Sequence, residues 1–279
     1  MKLGLHVTIS KGIENTPLEA HKRGAEVFMM FSRSPQGGNK KELTPELIEK
    51  FNKNLKKTKI TEFYIHAPYF INLGSSNKRI YHGSIGILRD ELERGSLLGA
   101  KYMMFHVGSG KDLGRKKGLK QSVKGIKEIL KNYNGSTQLL IENSAGAGEI
   151  LCDKFDEIGL IIKKVKNKNL GICFDTCHAF ASGYDLRDKK TVDKTIKDFD
   201  KMIGLDKLKI LHFNDSKVDL GANRDRHEII GQGFLGKDGF KAIINHPKLK
   251  KLNGVLETSD VRDAKPKSLL LLKKLRRSN

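Results

Sequence analysis

Short apolar runs recur along this chain roughly every 30 to 40 residues, which is about the length of a strand with its return helix. Each run ends on a histidine or a carboxylate. Polar side chains at the same end of many successive strands are typical of the active site of a β/α barrel. Imidazole and carboxylate groups together are ligands for zinc and similar transition metals. The run-ending residues are His66, His106, Glu142, Asp175, His212 and Glu257.

Two further apolar runs, at 3–9 and 26–31, complete a predicted set of eight strands. Helical patterns lie between the strands, and two of them open with a Thr-Pro pair at Thr16 and Thr44, which predicts a capped helix start. Strand and helix alternate without a linker or a sequence repeat. The pattern predicts an α/β fold in which residues 1–279 form a single (β/α)8 TIM barrel domain. Further helices are expected near 80–98, 118–132, 149–167, 190–204, 237–245 and 263–277.

The composition points to a polyanionic partner. The net charge is +21, from 53 Lys and Arg against 32 Asp and Glu, which favours nucleic acid. The lysines are spread along the chain, so an ordinary solvated surface remains an open alternative. No apolar stretch approaches the roughly 18 residues of a membrane span, and the amino terminus lacks a secretory pattern. Three cysteines cannot all pair and set no disulfide framework, which suits a reducing compartment. From these features together we expect a cytoplasmic protein that is not secreted and has no membrane partner.

Three more residues extend the candidate metal site. His178 follows Asp175 by three residues, in the next loop or turn. Asp225 and His227 lie in the long segment 214–236, and residues two apart in an extended segment point to the same side, so both can reach one ion. One histidine at a strand end is more often an ordinary hydrogen-bonded residue. Nine candidates in all exceed the three or four ligands of one catalytic zinc, so several ions are predicted.

Five segments of the chain resemble the sequence signatures of the endonuclease IV family, whose members are apurinic/apyrimidinic (AP) endonucleases. The match runs in order and at compatible spacing from His6 to Glu257, and the Asp-Thr-Cys-His-Ala run is its most specific part. The resemblance implies a β/α barrel that carries three zinc ions. The segments are 141–146 (IENSAG), 175–185 (DTCHAFASGYD), 211–217 (LHFNDSK), 225–228 (DRHE) and 256–258 (LET).

The resemblance also implies an activity and a ligand set. The chain would be a DNA-repair enzyme of the deoxyribonuclease IV type, which hydrolyses the phosphodiester 5′ to an abasic site in duplex DNA and leaves a 3′-hydroxyl and a 5′-deoxyribose phosphate. It would act as a monomer without an obligate protein partner, and Glu142, Asp175 and Glu257 would be catalytic. The implied ligands are His66, His106 and Glu142 for the first zinc, Glu142, Asp175, His212 and Glu257 for the second, and His178, Asp225 and His227 for the third.

Contacts to DNA are predicted in the loops after strands two, three and seven. Tyr69 and Phe70 follow a candidate ligand and resemble the family loop that wedges into the base stack. The alternative is that both are core residues. In the loop after strand two the aromatic residue of the family is missing, and Gly37 and Gly38 stand near its place. The predicted DNA-binding residues are Arg33, Gln36, Tyr69, Phe70 and Arg226.

Two other functions remain open from the sequence. A metal-dependent sugar isomerase or epimerase of the related barrel superfamily would also place His, Asp and Glu at strand ends. It would leave the Asp225-Arg226-His227 triplet and the positive charge without a role. A non-catalytic binding protein is the second alternative, although every candidate ligand is present. His6 is expected to contact the ligands without being one, and Cys177 is expected to be a buried, unreactive thiol.

Overall fold

The computed structural model describes residues 1–37 and 40–277. Its strands are β1 Leu3–Val7, β2 Val27–Met30, β3 Phe63–His66, β4 Tyr102–Phe105, β5 Gln138–Glu142, β6 Leu170–Asp175, β7 Leu208–His212, β8 Asp215–Ser216, β9 His227–Glu228 and β10 Asn253–Leu256. Strands β1 to β7 and β10 form a closed barrel in which neighbouring strands are parallel, and β10 pairs with both β7 and β1. Strands β8 and β9 form a separate antiparallel ribbon. The predicted (β/α)8 barrel is confirmed.

Helices cover the outside of the barrel. They are α1 Thr16–Lys22, α2 Pro45–Thr58, α3 Lys78–Leu98, α4 Arg115–Leu130, α5 Phe155–Val165, α6 Thr176–Ala181, α7 Lys189–Met202, α8 Gly236–Ile244 and α9 Lys267–Arg277. None of these described helices has the length and apolar character needed to cross a membrane. The predicted helix at 149–167 begins later, at Phe155, because Glu149 and Leu151 are held in a loop by backbone hydrogen bonds to Gly110 and Gly108.

The two Thr-Pro pairs begin their helices in different ways. At α2 the Thr44 side chain accepts a hydrogen bond from the Leu47 amide at 3.3 Å, so this predicted cap is confirmed. At α1 the prediction was wrong, since Thr16 is already helical and Asn15 occupies the cap position. A preceding 3-10 turn supplies the reason: the Thr16 hydroxyl donates to the Ile13 carbonyl at 2.8 Å instead of accepting from the first turn.

The inside of the barrel is packed with side chains below the candidate ligands. Met104, Leu140 and Val255 belong to this fully buried inner cluster. Toward the amino-terminal end of the strands, the buried Tyr64 hydroxyl hydrogen-bonds Glu62 at 3.1 Å and Asn253 at 2.9 Å. The candidate ligands occupy the opposite, carboxyl-terminal end, where β/α barrels place their active sites.

The closeness of β1 to β2 generates a stability prediction. A Cβ added to Gly4 would lie 1.8 Å from the carbonyl oxygen of Val27 in the neighbouring strand, so we expect Gly4→Ala to lower the free energy of unfolding. Overpacking of this kind costs about 1–3 kcal/mol, and more where backbone must move.

Gly83→Ala is the matched control. Gly83 is exposed within α3 and a Cβ there would meet nothing within 4 Å, so this change should stabilise by about 0.5–1 kcal/mol. Urea unfolding of both variants provides the measurement. An unchanged midpoint in Gly4→Ala would contradict the described strand packing.

Candidate metal centre

The nine candidate ligands converge at the carboxyl-terminal mouth of the barrel. Several of them line a cavity of about 650 Å³, which also exposes His6, Phe31 and Tyr69. Two groups of close donor atoms each include a buried cysteine, Cys173 or Cys177. The candidates alone form three groups, and within each the donor atoms lie within 4.8 Å of one another. The groups are His66 with His106 and Glu142; Glu142 with Asp175, His212 and Glu257; and His178 with Asp225 and His227.

Glu142 is fully buried and belongs to two of these groups. Its Oε2 lies 3.2 Å from Nε2 of His66 and 3.8 Å from Nε2 of His106. Its Oε1 lies 3.0 Å from Nδ1 of His212. Burial alone would raise the pKa of Glu142, but the imidazoles of His212 and His106 outweigh it and hold that pKa well below its ordinary value. The carboxylate therefore faces two groups with its two oxygens.

Two asparagines orient the carboxylates of the second group. Asn143 accepts from the Asp175 amide at 2.7 Å and donates to the Asp175 carbonyl at 3.1 Å. Asn214 donates to Oδ2 of Asp175 at 2.6 Å and accepts from the Glu257 amide at 2.9 Å. Sequence reasoning gave these asparagines no role. The signal was their position, since each one follows a candidate ligand within two residues, after Glu142 and His212.

His178 lies on α6 and not in a loop, because Asp175 caps this helix. Oδ1 of Asp175 accepts from the His178 amide at 2.8 Å. The cap turns the His178 ring toward the long loop, where its Nε2 lies 3.3 Å from Oδ2 of Asp225. Nε2 of His227 lies 3.2 Å from Oδ1 of the same carboxylate. Burial would raise the pKa of Asp225, but His178 and His227 lower it to about 2.

The rings are oriented as metal ligands require. Nδ1 of His66 donates to the Ala67 carbonyl at 2.6 Å, and Nδ1 of His178 lies 3.0 Å from the Asn143 carbonyl, so Nε2 of each ring is the atom that would bind a metal. Burial lowers the pKa of His106 to about 4, which keeps its imidazole neutral at neutral pH. These nitrogen and carboxylate donors fit zinc.

Two neighbours of the centre behave as expected from the sequence. His6 lies outside the three groups, and its Nδ1 is 3.6 Å from Oε1 of Glu257. Cys177 is buried, and burial raises the pKa of its thiol to about 12, so the expectation of a buried thiol is confirmed.

The long loop 214–236 is ordered by one buried carboxylate that sequence reasoning missed. Asp215 accepts hydrogen bonds from four backbone amides, those of Ser216, Gly231, Gly233 and Leu235, at 2.8 to 3.0 Å. A Cβ at Gly233 would lie 2.6 Å from this carboxylate, so only glycine permits the approach. Asp215 thereby fixes the loop that carries Asp225 and His227.

The predicted DNA-binding residues have different surroundings. Tyr69 and Phe70 are 60% and 43% exposed, which excludes the alternative that they are core residues. Gln36 and Arg226 are also exposed, and Arg226 donates to the carbonyl of Asp225 at 2.7 Å.

Arg33 is not free to reach DNA in this conformation. Its guanidinium is ion-paired with Asp90 and Glu91 on α3, and its side chain is 11% exposed. The DNA contact expected of Arg33 stays a prediction, and it would require the guanidinium to exchange these carboxylates for a phosphate. Gly38, noted in the same loop, lies outside the described residues.

The sequence is similar to those of known proteins over most of its length. Residues 18–276 match the protein family described as xylose isomerase-like TIM barrel. A probable endonuclease 4 from Halothermothrix orenii is 39% identical over 92% of this chain and 93% of the relative. A probable endonuclease 4 from Nitrosopumilus maritimus is 41% identical over the same shares.

Solved structures show the same likeness. Endonuclease IV from Thermus thermophilus has a TM-score of 0.87 and 28% identity, and the alignment covers 99% of this chain and 98% of that one. A D-tagatose 3-epimerase-like protein has a TM-score of 0.73 at 20% identity, over 99% of this chain and 97% of that one. At that identity the second likeness concerns the fold alone.

Asp215 generates a prediction about the loop. Asp215→Asn replaces one carboxylate oxygen with an NH2 group, which cannot accept a hydrogen bond. The buried backbone amides that it served lose their acceptor, which lowers the free energy of unfolding by about 1–3 kcal/mol each. We expect a lower free energy of unfolding and faster protease cleavage within 214–236.

Asp219→Asn is the control, because exposed Asp219 lies in the same loop and its side chain accepts from the Leu220 amide. Equal cleavage rates in the two variants would show that the Asp215 hydrogen bonds do not order this loop.

Proposed function

Because the chain belongs to the endonuclease IV family of xylose isomerase-like TIM barrels, we propose that it is a zinc-dependent DNA-repair endonuclease. Its substrate is duplex DNA that contains an abasic site. It hydrolyses the phosphodiester 5′ to that site and leaves a 3′-hydroxyl and a 5′-deoxyribose phosphate. It acts as a monomer with three zinc ions, and the observation that carries the proposal is the grouping of nine imidazole and carboxylate side chains into three adjoining sets.

In this proposal the chain's own residues hold and orient the metals. Glu142 would serve the first and second sets together, since its two oxygens face His66 and His212 at 3.2 and 3.0 Å. Asp175 and Glu257 complete the second set, and the Asn214 side chain donates to both carboxylates, at 2.6 and 3.3 Å. When bound, zinc supplies Lewis-acid stabilisation of phosphoryl oxygens and activates water for attack.

The cavity mouth supplies the DNA contacts. An enzyme that acts at an extrahelical nucleotide must stabilise an unstacked duplex. Tyr69 and Phe70 are exposed, as side chains that insert between bases must be. The Tyr69 ring lies 5.4 Å from the His66 ring, so this pair adjoins the first metal set. Gln36 and Arg226 are the proposed polar contacts on the adjoining loops.

The sugar isomerase or epimerase alternative explains less of the molecule. An enzyme with one or two ions gives no role to the third set, whose members His178 and His227 approach each other at 3.4 Å between their Nε2 atoms. It also gives no role to the net charge of +21. At 20% identity, the likeness to an epimerase-like structure concerns the fold alone.

Glu142→Gln tests the proposed activity. The amide loses the charge that the first two sets share, so we expect incision of a duplex with one abasic site to fall on the order of 10³-fold or more. Zinc content should fall from about three ions per chain, measured by elemental analysis of protein purified without added metal.

Glu128→Gln is the control, because Glu128 is exposed on α4. It should retain wild-type incision and zinc content. Near wild-type incision by Glu142→Gln would reject the site assignment, and wild-type protein that leaves abasic DNA intact would reject the function.

Replacing both wedge residues with alanine tests the DNA contact. Removal of apolar side chains that hold the bases apart should weaken binding to abasic duplex while zinc content stays constant. The control is the double variant Leu97→Ala, Leu160→Ala, which removes two exposed apolar side chains from α3 and α5. It should leave binding to abasic duplex unchanged. Loss of fold or zinc in the Tyr69→Ala, Phe70→Ala variant would instead assign these residues to the scaffold.

A further inference from the structure

Arg262 has an unusual position relative to the metal cavity. Among the described residues that line the cavity, it is the one lysine or arginine, and the others are mainly histidine, carboxylate, aromatic and small side chains. Arginine carries its charge at every physiological pH, and its planar group matches a phosphate with two parallel hydrogen bonds. The cavity wall therefore includes one permanent cation outside the candidate ligand sets.

The turn that carries Arg262 is built as a fixed support. Residues Ser259–Arg262 form a 3-10 turn that begins two residues after Glu257. Asp260 within this turn is buried, and its carboxylate accepts from the Thr258 hydroxyl at 2.6 Å and from the Ser268 amide at 2.7 Å. These contacts connect the turn to the start of α9, so the Arg262 backbone is held in place relative to the second metal set.

The Arg262 side chain is exposed and has no carboxylate within 4.0 Å in the part of the chain that the structure covers. Arg33 differs in this respect, because Asp90 and Glu91 already neutralise it. An exposed arginine on a rigid turn beside a phosphodiester-cleaving site is available for the backbone of the substrate. Phosphate contacts of this kind fix the register of a duplex without reading its sequence.

We propose that Arg262 binds a phosphate of the DNA backbone beside the metal sets and so sets the register of the duplex over them. This inference rests on the proposed function. Arg262 lines the same cavity as several of the candidate ligands, so the phosphate that it binds lies beside the metal sets. Arg262 is a positioning residue and takes no part in bond cleavage.

The experiment compares Arg262→Gln with Lys265→Gln. Both remove one positive charge from the same exposed stretch, but Lys265 lies outside the cavity lining. Binding is measured from low to high salt with a duplex that carries a phosphorothioate linkage 5′ to the abasic site. Loss of one phosphate contact should make the slope of log affinity against log salt shallower by about 0.9 for Arg262→Gln. Lys265→Gln should keep the wild-type slope, and both variants should keep wild-type zinc content.

Arg262→Lys tests the two-point contact. It keeps the charge but loses the planar fork, so it should keep the wild-type slope and bind more weakly at every salt concentration. A slope for Arg262→Gln equal to that of Lys265→Gln would overturn the inference while leaving the proposed function intact. Wild-type protein without affinity for abasic duplex would overturn both.

Discussion

The mouth of this barrel is organised around the buried carboxylate of Glu142. An ionised group removed from water must be compensated by opposite charge or hydrogen bonds, since an uncompensated buried charge costs several kcal/mol. In this chain the compensation comes from imidazoles on different strands, with His66 on one side and His212 on the other. The end of β5 therefore fixes where the ends of β3 and β7 must place their polar atoms, and the candidate sites adjoin because they share this residue.

A second layer of polar residues makes that arrangement specific. The Asn143 side chain hydrogen-bonds the backbone of Asp175, and the Asn214 side chain hydrogen-bonds the Asp175 carboxylate and the Glu257 amide. The Thr176 hydroxyl adds a hydrogen bond to the carbonyl of Asn214 at 2.8 Å. These contacts fix the angle at which Asp175 meets the centre. Loss of supporting contacts of this kind typically lowers metal affinity or activity by about 10–100-fold.

The sequence predicted the barrel and the closeness of the candidate ligands, and the reasons are local. The spacing of the apolar runs and the residue type at the end of each run can be read from short stretches of sequence. The order of the elements and the convergence of candidates such as His106 follow from these two features. The asparagine contacts, the Asp215 hydrogen bonds and the Arg33 ion pairs depend on residues tens of positions apart. No pattern in one segment specifies such a contact. Arg33 is an example, because its carboxylate partners on α3 are 57 and 58 positions away in the sequence and adjoin it only in the folded chain.

The third group differs from the other two in where its side chains originate. His178 comes from a helix that begins at a barrel strand, whereas Asp225 and His227 come from a loop whose shape depends on Asp215. Folding of that loop and occupation of that group are therefore thermodynamically linked. A ligand bound there adds its binding free energy to the stability of the loop, and a disordered loop lowers the apparent affinity by the same amount. The ligands of the first two groups lie at the ends of barrel strands, but the third group is only as stable as its loop.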